Sequence, residues 1–163
     1  MTWMDMARVL LVGIGATLVM DLWTQALKQL GVATLDYALL GRWAAHLAKG
    51  RFAHANIGQA APIPGEQLLG WTMHYAIGIA FAALLVAVAG WPWLGDPSLM
   101  PALAVGMATV AAPLFVMQPA MGAGFMASKT ATPLKNCLRS LATHGVFGLG
   151  LYLSATLIRF CEA

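Results

Sequence analysis

Four long apolar runs dominate the chain, covering about residues 6–27, 67–89, 100–121 and 138–157. A transmembrane helix needs about 20 mostly apolar residues, and each run meets that length. Past Arg8 the first run carries a single charge, Asp21, and the second carries none. Gly-Trp-Pro-Trp at 90–93, followed by Asp96 and Pro97, marks a tight turn between the second and third runs. A weaker pattern lies at residues 36–49. There Leu39, Leu40, Trp43 and Leu47 share one helical face, Arg42, His46 and Lys49 share another, and Gly50 suits a C-terminal cap. This predicts an amphipathic helix lying in the membrane interface. Residues 52–66, with Pro62, Pro64 and Gly65, read as an irregular link, and His46 and His54 as solvated or headgroup-facing.

Composition agrees with that pattern. Of 163 residues, 60% are hydrophobic and 9% charged, far below the quarter or so charged in soluble domains. The chain lacks the polar surface a soluble globule needs. A net charge of +3, from nine Lys and Arg against six Asp and Glu, is too small for a phosphate-binding stripe, so nucleic acid is excluded as a partner. The predicted fold is an all-α polytopic membrane four-helix bundle forming a single domain over residues 1–163. It consists of two tandem helical hairpins with the interfacial helix in the first cytoplasmic loop, and its partner is the lipid bilayer.

Charge orients the bundle. Lys28, Arg42, Lys49 and Arg51 follow the first run, and Lys129, Lys135 and Arg139 lie between the third and fourth. The positive-inside rule puts these loops in the cytoplasm and both termini outside. Trp3, Trp91 and Trp93 fit an outer aromatic belt, and Trp23, Trp43 and Trp71 an inner one. A cleaved signal peptide is the competing reading of the N-terminus, but a basic start is missing and Asp21 interrupts the apolar stretch. Cys137 and Cys161 fall at opposite ends of the fourth run, about 36 Å apart at helical rise, so they read as free structural thiols.

Two pairs of segments look alike. Residues 18–21 (LVMD) match 115–118 (FVMQ), and residues 74–80 (HYAIGIA) match 144–150 (HGVFGLG). Their preserved order reads as an internal repeat of one hairpin, with the long loop inserted in the first copy. Parallel-repeat transporters are built this way.

Asp21, His74, Gln118 and His144 supply one strongly polar group per run. By distance from the cytoplasmic ends, all four sit at similar depth, roughly 5–10 Å from the bilayer centre. Small residues accompany them at helical spacing: Gly13, Thr17 and Asp21; Glu66, Gly70, His74 and Gly78; Ser140, His144 and Gly148. Such stripes let helices approach closely, and charged groups facing lipid are costly, so the four are expected to face inward, satisfy one another and line one interior pocket. Thr17, Glu66, Tyr75 and Ser140 are the supporting polar groups.

Several readings fit this layer. In one it is a hydrogen-bonded staple pairing Asp21 with His74 and Gln118 with His144, in a structural or accessory protein. In another it serves a proton- or ion-linked carrier of a small solute, with Pro113 and Pro119 breaking the third helix beside Gln118 and exposing backbone carbonyls. A third makes His74, His144 and Asp21 candidate ligands for a transition metal, or the two histidines axial ligands for haem b. No Ser-based elbow, zinc-protease helix or phosphate loop is present, which leaves an enzyme least favoured. Four short helices enclose little volume, so a homodimer is a further candidate.

The stretches GATLVMDLW (15–23), DYALLGRW (36–43), PGE (64–66), GWTMHYAIG (70–78), MQPAMGAG (117–124) and HGVFGLGLYL (144–153) span nearly the whole chain. In them the chain resembles a bacterial inner-membrane family catalogued as domain of unknown function 2938. The resemblance implies an integral protein of the bacterial inner membrane and supplies no reaction.

Overall fold

The computed structural model describes residues 2–162. Among them every regular element is helical: α1 (Trp3–Gln29), α2 (Tyr37–Leu47), α3 (Glu66–Ala89), the single turn α4 (Pro92–Gly95), α5 (Leu99–Ala108), α6 (Gln118–Met121) and α7 (Pro133–Glu162). No strand occurs among these residues. Helices α1, α3 and α7, together with the broken run Leu99–Met121, are long and apolar enough to cross a membrane.

The ends exceed the apolar runs for local reasons. Helix α1 starts at Trp3 because Thr2 and Asp5 form a capping box. The Thr2 hydroxyl accepts from the Asp5 N–H and the Asp5 carboxylate accepts from the Thr2 N–H. Helix α7 starts at Pro133, a residue suited to a first turn whose N–H groups lack partners. The turn after α3 closes as α4, with Gly90 in the left-handed region at φ 86°.

Packing divides the chain into two compact units. Residues 1–32, 75–109 and 142–163 form the first. In it α1, the 75–89 part of α3, α5 and the 142–162 part of α7 bury Val12, Ala16, Leu85, Ala102, Phe147 and Leu151. Glycines let these helices touch backbone to backbone. A Cβ on Gly13 would strike Ile79 and Gly78, and one on Gly106 would strike Gly148 and the His144 carbonyl. At the termini Arg8 in the first turns of α1 bonds Glu162 in the last turn of α7, its Nε donating to Oε1 at 3.1 Å.

Trp93 departs from the expected outer belt. It is buried in this unit, and its indole N–H donates to the Ser98 carbonyl at 3.1 Å. The α4 turn folds its ring inward, whereas Trp3 is exposed as expected.

Residues 33–74 and 110–141 form the second unit. Its core joins Tyr37, Leu40 and Trp43 of α2 to Ile57 and Ala120. Helix α2 meets the start of α3 backbone to backbone. A Cβ on Gly41 would collide with the Glu66 carbonyl, and one on Gly70 with the Tyr37 carbonyl.

This packing overturns the water-facing reading of the α2 polar face. Arg42, His46 and His54 are buried, and so is Trp43, expected in an inner belt. The 52–66 link is not irregular throughout, since Ile57–Gln59 forms a 3-10 turn capped by the Asn56 side chain. It folds over Arg42 and His46 and removes them from water, while Lys49 at the end of the face stays exposed.

Candidate functional site

The third membrane-length run is broken as Pro113 and Pro119 predict. Proline has no N–H to donate and crowds the preceding turn. Residues Pro113–Met117 adopt a π-helical turn, and the Gln118 N–H donates to the Pro113 carbonyl five residues back. Helix α6 then ends at Gly122, in the left-handed region at φ 96°. A side chain at residue 122 would strike the Ala55 carbonyl. Gln118 sits at this break, its Oε1 buried without a hydrogen-bond partner.

His74 lies in the same unit, where its Nε2 and the Tyr37 hydroxyl are 3.0 Å apart. The rings stack with centroids 4.2 Å apart, and Trp71 meets His74 edge-on. Tyr37 thus joins the candidate residues, although the apolar pattern marked only its neighbours in α2.

In the first unit the Tyr75 hydroxyl donates to Asp21 Oδ2 at 2.9 Å, which turns a supporting residue into a direct partner of the carboxylate. Thr17 is buried, gives its hydroxyl proton to the Gly13 carbonyl, and lies where a Cβ on Gly78 would collide with it. His144 pairs through Nδ1 with the Thr109 hydroxyl at 2.9 Å. That hydroxyl also donates to the Gly106 carbonyl at 2.7 Å. A threonine has one hydroxyl proton, so toward His144 it accepts, and Nδ1 carries the hydrogen. A neutral His144 therefore keeps its lone pair on Nε2. Thr109 was invisible to the search for strongly polar groups; its spacing after Gly106 was the available signal. Ser140 is half-buried on α7.

The densest polar construction of the second unit centres on Arg42. Its Nε and Nη2 grip the two oxygens of Glu66 at 2.9 and 2.7 Å. Its Nη1 donates to the carbonyls of Ile57, Gly58 and Ala60 at 3.3, 3.3 and 3.1 Å. Glu66 Oε2 also accepts from the Ile63 N–H at 2.9 Å. The fork matches a carboxylate bidentately, and the bonds to Glu66 raise the Arg42 pKa above its ordinary value. Glu66 is therefore a structural anchor for the 57–63 segment.

Beside it, His46 Nδ1 and His54 Nε2 are 2.8 Å apart. The His54 N–H donates to the Ala120 carbonyl at 2.8 Å. Burial, then the neighbouring charges of Arg51 and His46, push the His54 pKa below its usual value. No three of His, Cys, Asp and Glu gather around one metal position among the described residues. Both cysteines are free, Cys137 buried and Cys161 exposed.

Four membrane-length helices carrying polar and ionisable groups define a multi-pass membrane protein of all-α architecture. The chain belongs to the family described as "Protein of unknown function (DUF2938)", whose model matches residues 10–158. No curated protein and no solved structure matches the chain.

Proposed function

We propose that the protein is a bacterial inner-membrane carrier, with both termini periplasmic, that moves protons or a small polar solute linked to them. One observation carries this reading. Gln118, at a proline-made π-helical turn within a membrane-length run, has a buried and unpartnered Oε1. In lipid an unpaired polar atom is costly, and broken helices at membrane depth are tolerated where they serve a cavity or pathway. A π turn inside a membrane helix is a common functional device.

The duplicated hairpin supports the same reading. Gly78 and Gly148 fall at equivalent places in the two matched segments, and each is a point of close helix approach. Between the close-contact glycine and the matched tetrapeptide there are five positions in the first copy (13 to 18) and nine in the second (106 to 115). The four extra residues fall between Gly106 and Phe115, the stretch that holds Thr109, Val110 and the start of the π turn. The second copy is thus a hairpin with an added break, and Gln118 follows that break. Asp21, His74 and His144 are the proton-exchanging groups in this proposal.

The test is proton flux in liposomes holding purified protein, read by a trapped pH dye under a potassium diffusion potential. Wild type is expected to exceed empty liposomes. Gln118→Leu, Asp21→Asn and His74→Ala should each lower flux at least about tenfold, with helix content and elution volume retained. Flux equal to that of empty liposomes, or full flux in folded Gln118→Leu, would overturn the proposal.

A further inference from the structure

His46 on α2 and His54 on the segment after it face each other at 2.8 Å, and both are buried. Their ring centroids lie 5.0 Å apart and tilted by 30°, so a hydrogen bond joins them rather than a close stack. One proton occupies that bond, and the remaining nitrogen shows which ring owns it. His54 Nδ1 is buried with no partner. With His46 as donor, a neutral His54 would carry its proton on Nδ1, an orphaned N–H. The less costly arrangement has His54 donate from Nε2 to His46 Nδ1, leaving a bare lone pair on His54 Nδ1.

An added proton then has no good place in this pair. On His54 it must sit on Nδ1, for which the acceptor at hand is the Ala120 carbonyl, already taken by the His54 main-chain N–H at 2.8 Å. On His46 it turns Nδ1 into a donor and forces the His54 proton onto the same orphaned atom. Both routes leave the buried pair positively charged with a poorly bonded Nδ1–H on His54, which burial strongly opposes.

The histidines also fasten a strap. The Trp43 indole N–H holds the Phe52 carbonyl at 2.8 Å, and the His54 N–H holds the Ala120 carbonyl. Ala55 rests on Gly122, at the end of the broken run. Further along, Arg42 holds the carbonyls of Ile57, Gly58 and Ala60, and arginine stays charged at every working pH.

We infer that the His46–His54 pair is a proton-sensitive latch. While both rings are neutral it holds residues 52–56 against the Ala120–Gly122 end of the third run, and uptake of a proton releases them. The part held by Arg42 stays fixed and acts as the hinge. The charged groups around the pair agree with this sense. Arg51 beside the strap repels an added proton, and the carboxylate acting on His46 from α3 is Glu66, already gripped by Arg42. The third run presents the Ala120 carbonyl to His54, which by itself favours an added proton, but burial and the neighbouring Arg51 and His46 outweigh it and lower the His54 pKa.

Hydrogen–deuterium exchange of the full chain in lipid nanodiscs tests the latch independently of transport. After correction for the intrinsic effect of pH, the His54 peptide is expected to lose protection at least about tenfold from pH 7.5 to pH 5. The Gln59–Ala60 amides should hold theirs. The double variant His46→Asn, His54→Gln keeps an amide pair able to bond but unable to titrate, so its protection should not depend on pH. A second readout needs no variant: imidazole nitrogen shifts of wild type must show the two rings titrating together. Unchanged protection at pH 5, a pH-dependent loss surviving in the double variant, or independent titration of the rings would each overturn the latch.

Discussion

Thr109 gives its one hydroxyl proton to the Gly106 carbonyl and so receives the Nδ1 proton of His144. The tautomer of a histidine inside a membrane-length helix is thereby set by its neighbour. Nitrogen NMR of the imidazoles should find neutral His144 protonated at Nδ1. Thr109→Ser should keep that signature. Thr109→Val should lose it and destabilise the protein by about 1–2 kcal/mol, since the partly buried Nδ1–H loses its hydroxyl acceptor.

Close backbone approach makes two glycines of the second unit costly to replace, whereas Gly145 of the first unit is dispensable. A Cβ on Gly41 or Gly70 meets main-chain atoms that cannot turn aside. Gly41→Ala and Gly70→Ala should each cost about 1–3 kcal/mol in thermal or denaturant unfolding. Gly145→Ala places its Cβ at ordinary contact, 3.5 Å from Met107 Sδ. Near-wild-type stability is expected there, with helix propensity favouring alanine.

Stability should fall on the acid side through His54. Its folded-state pKa lies below the ordinary 6.5, so the unfolded chain takes up the proton first as pH drops. Unfolding then binds protons, and stability rises with pH between the lowered value and 6.5. The contribution is complete above 6.5 and is lost as pH falls through the folded value. Lowering the pH from 7.5 to 5.5 should depress the wild-type Tm by about 2 °C or more. His54→Gln should flatten this dependence.

The two thiols should behave oppositely toward a maleimide. Exposed Cys161 should label in the folded protein, whereas buried Cys137, whose Sγ–H donates to the Met126 carbonyl, should label only after unfolding. The proposed orientation, with both termini periplasmic, predicts that a membrane-impermeant reagent reaches Cys161 in intact spheroplasts. Failure there, with labelling restored by lysis, would reverse the orientation.

The four membrane-length helices were legible because continuous apolar sequence has few other uses. Their ends were less so. Thr2 and Asp5 extend α1, and Pro133 starts α7, through capping chemistry that a hydropathy count passes over. The break at Pro113 and Pro119 was readable, since proline's missing N–H acts locally.

The α2 face was misread for a physical reason. Arg42, His46 and Lys49 form a proper polar stripe, and nothing local to residues 36–49 says what covers it. Burial of Arg42 depends on Glu66 beyond Pro62 and Pro64, and burial of His46 depends on His54. Such partners cross a loop whose path periodicity does not encode. Thr109 escaped notice because it acts through another side chain.

The Arg8–Glu162 pair joins residues 154 positions apart, whereas Arg42 and Glu66 are 24 apart. During synthesis the Arg42 clamp has its carboxylate as soon as α3 emerges. The first helix must wait, its guanidinium matched only by Asp5 at 3.8 Å, until residue 162 leaves the ribosome. Its final seating therefore cannot precede the emergence of residue 162, and nascent chains stalled before that residue would expose the waiting state.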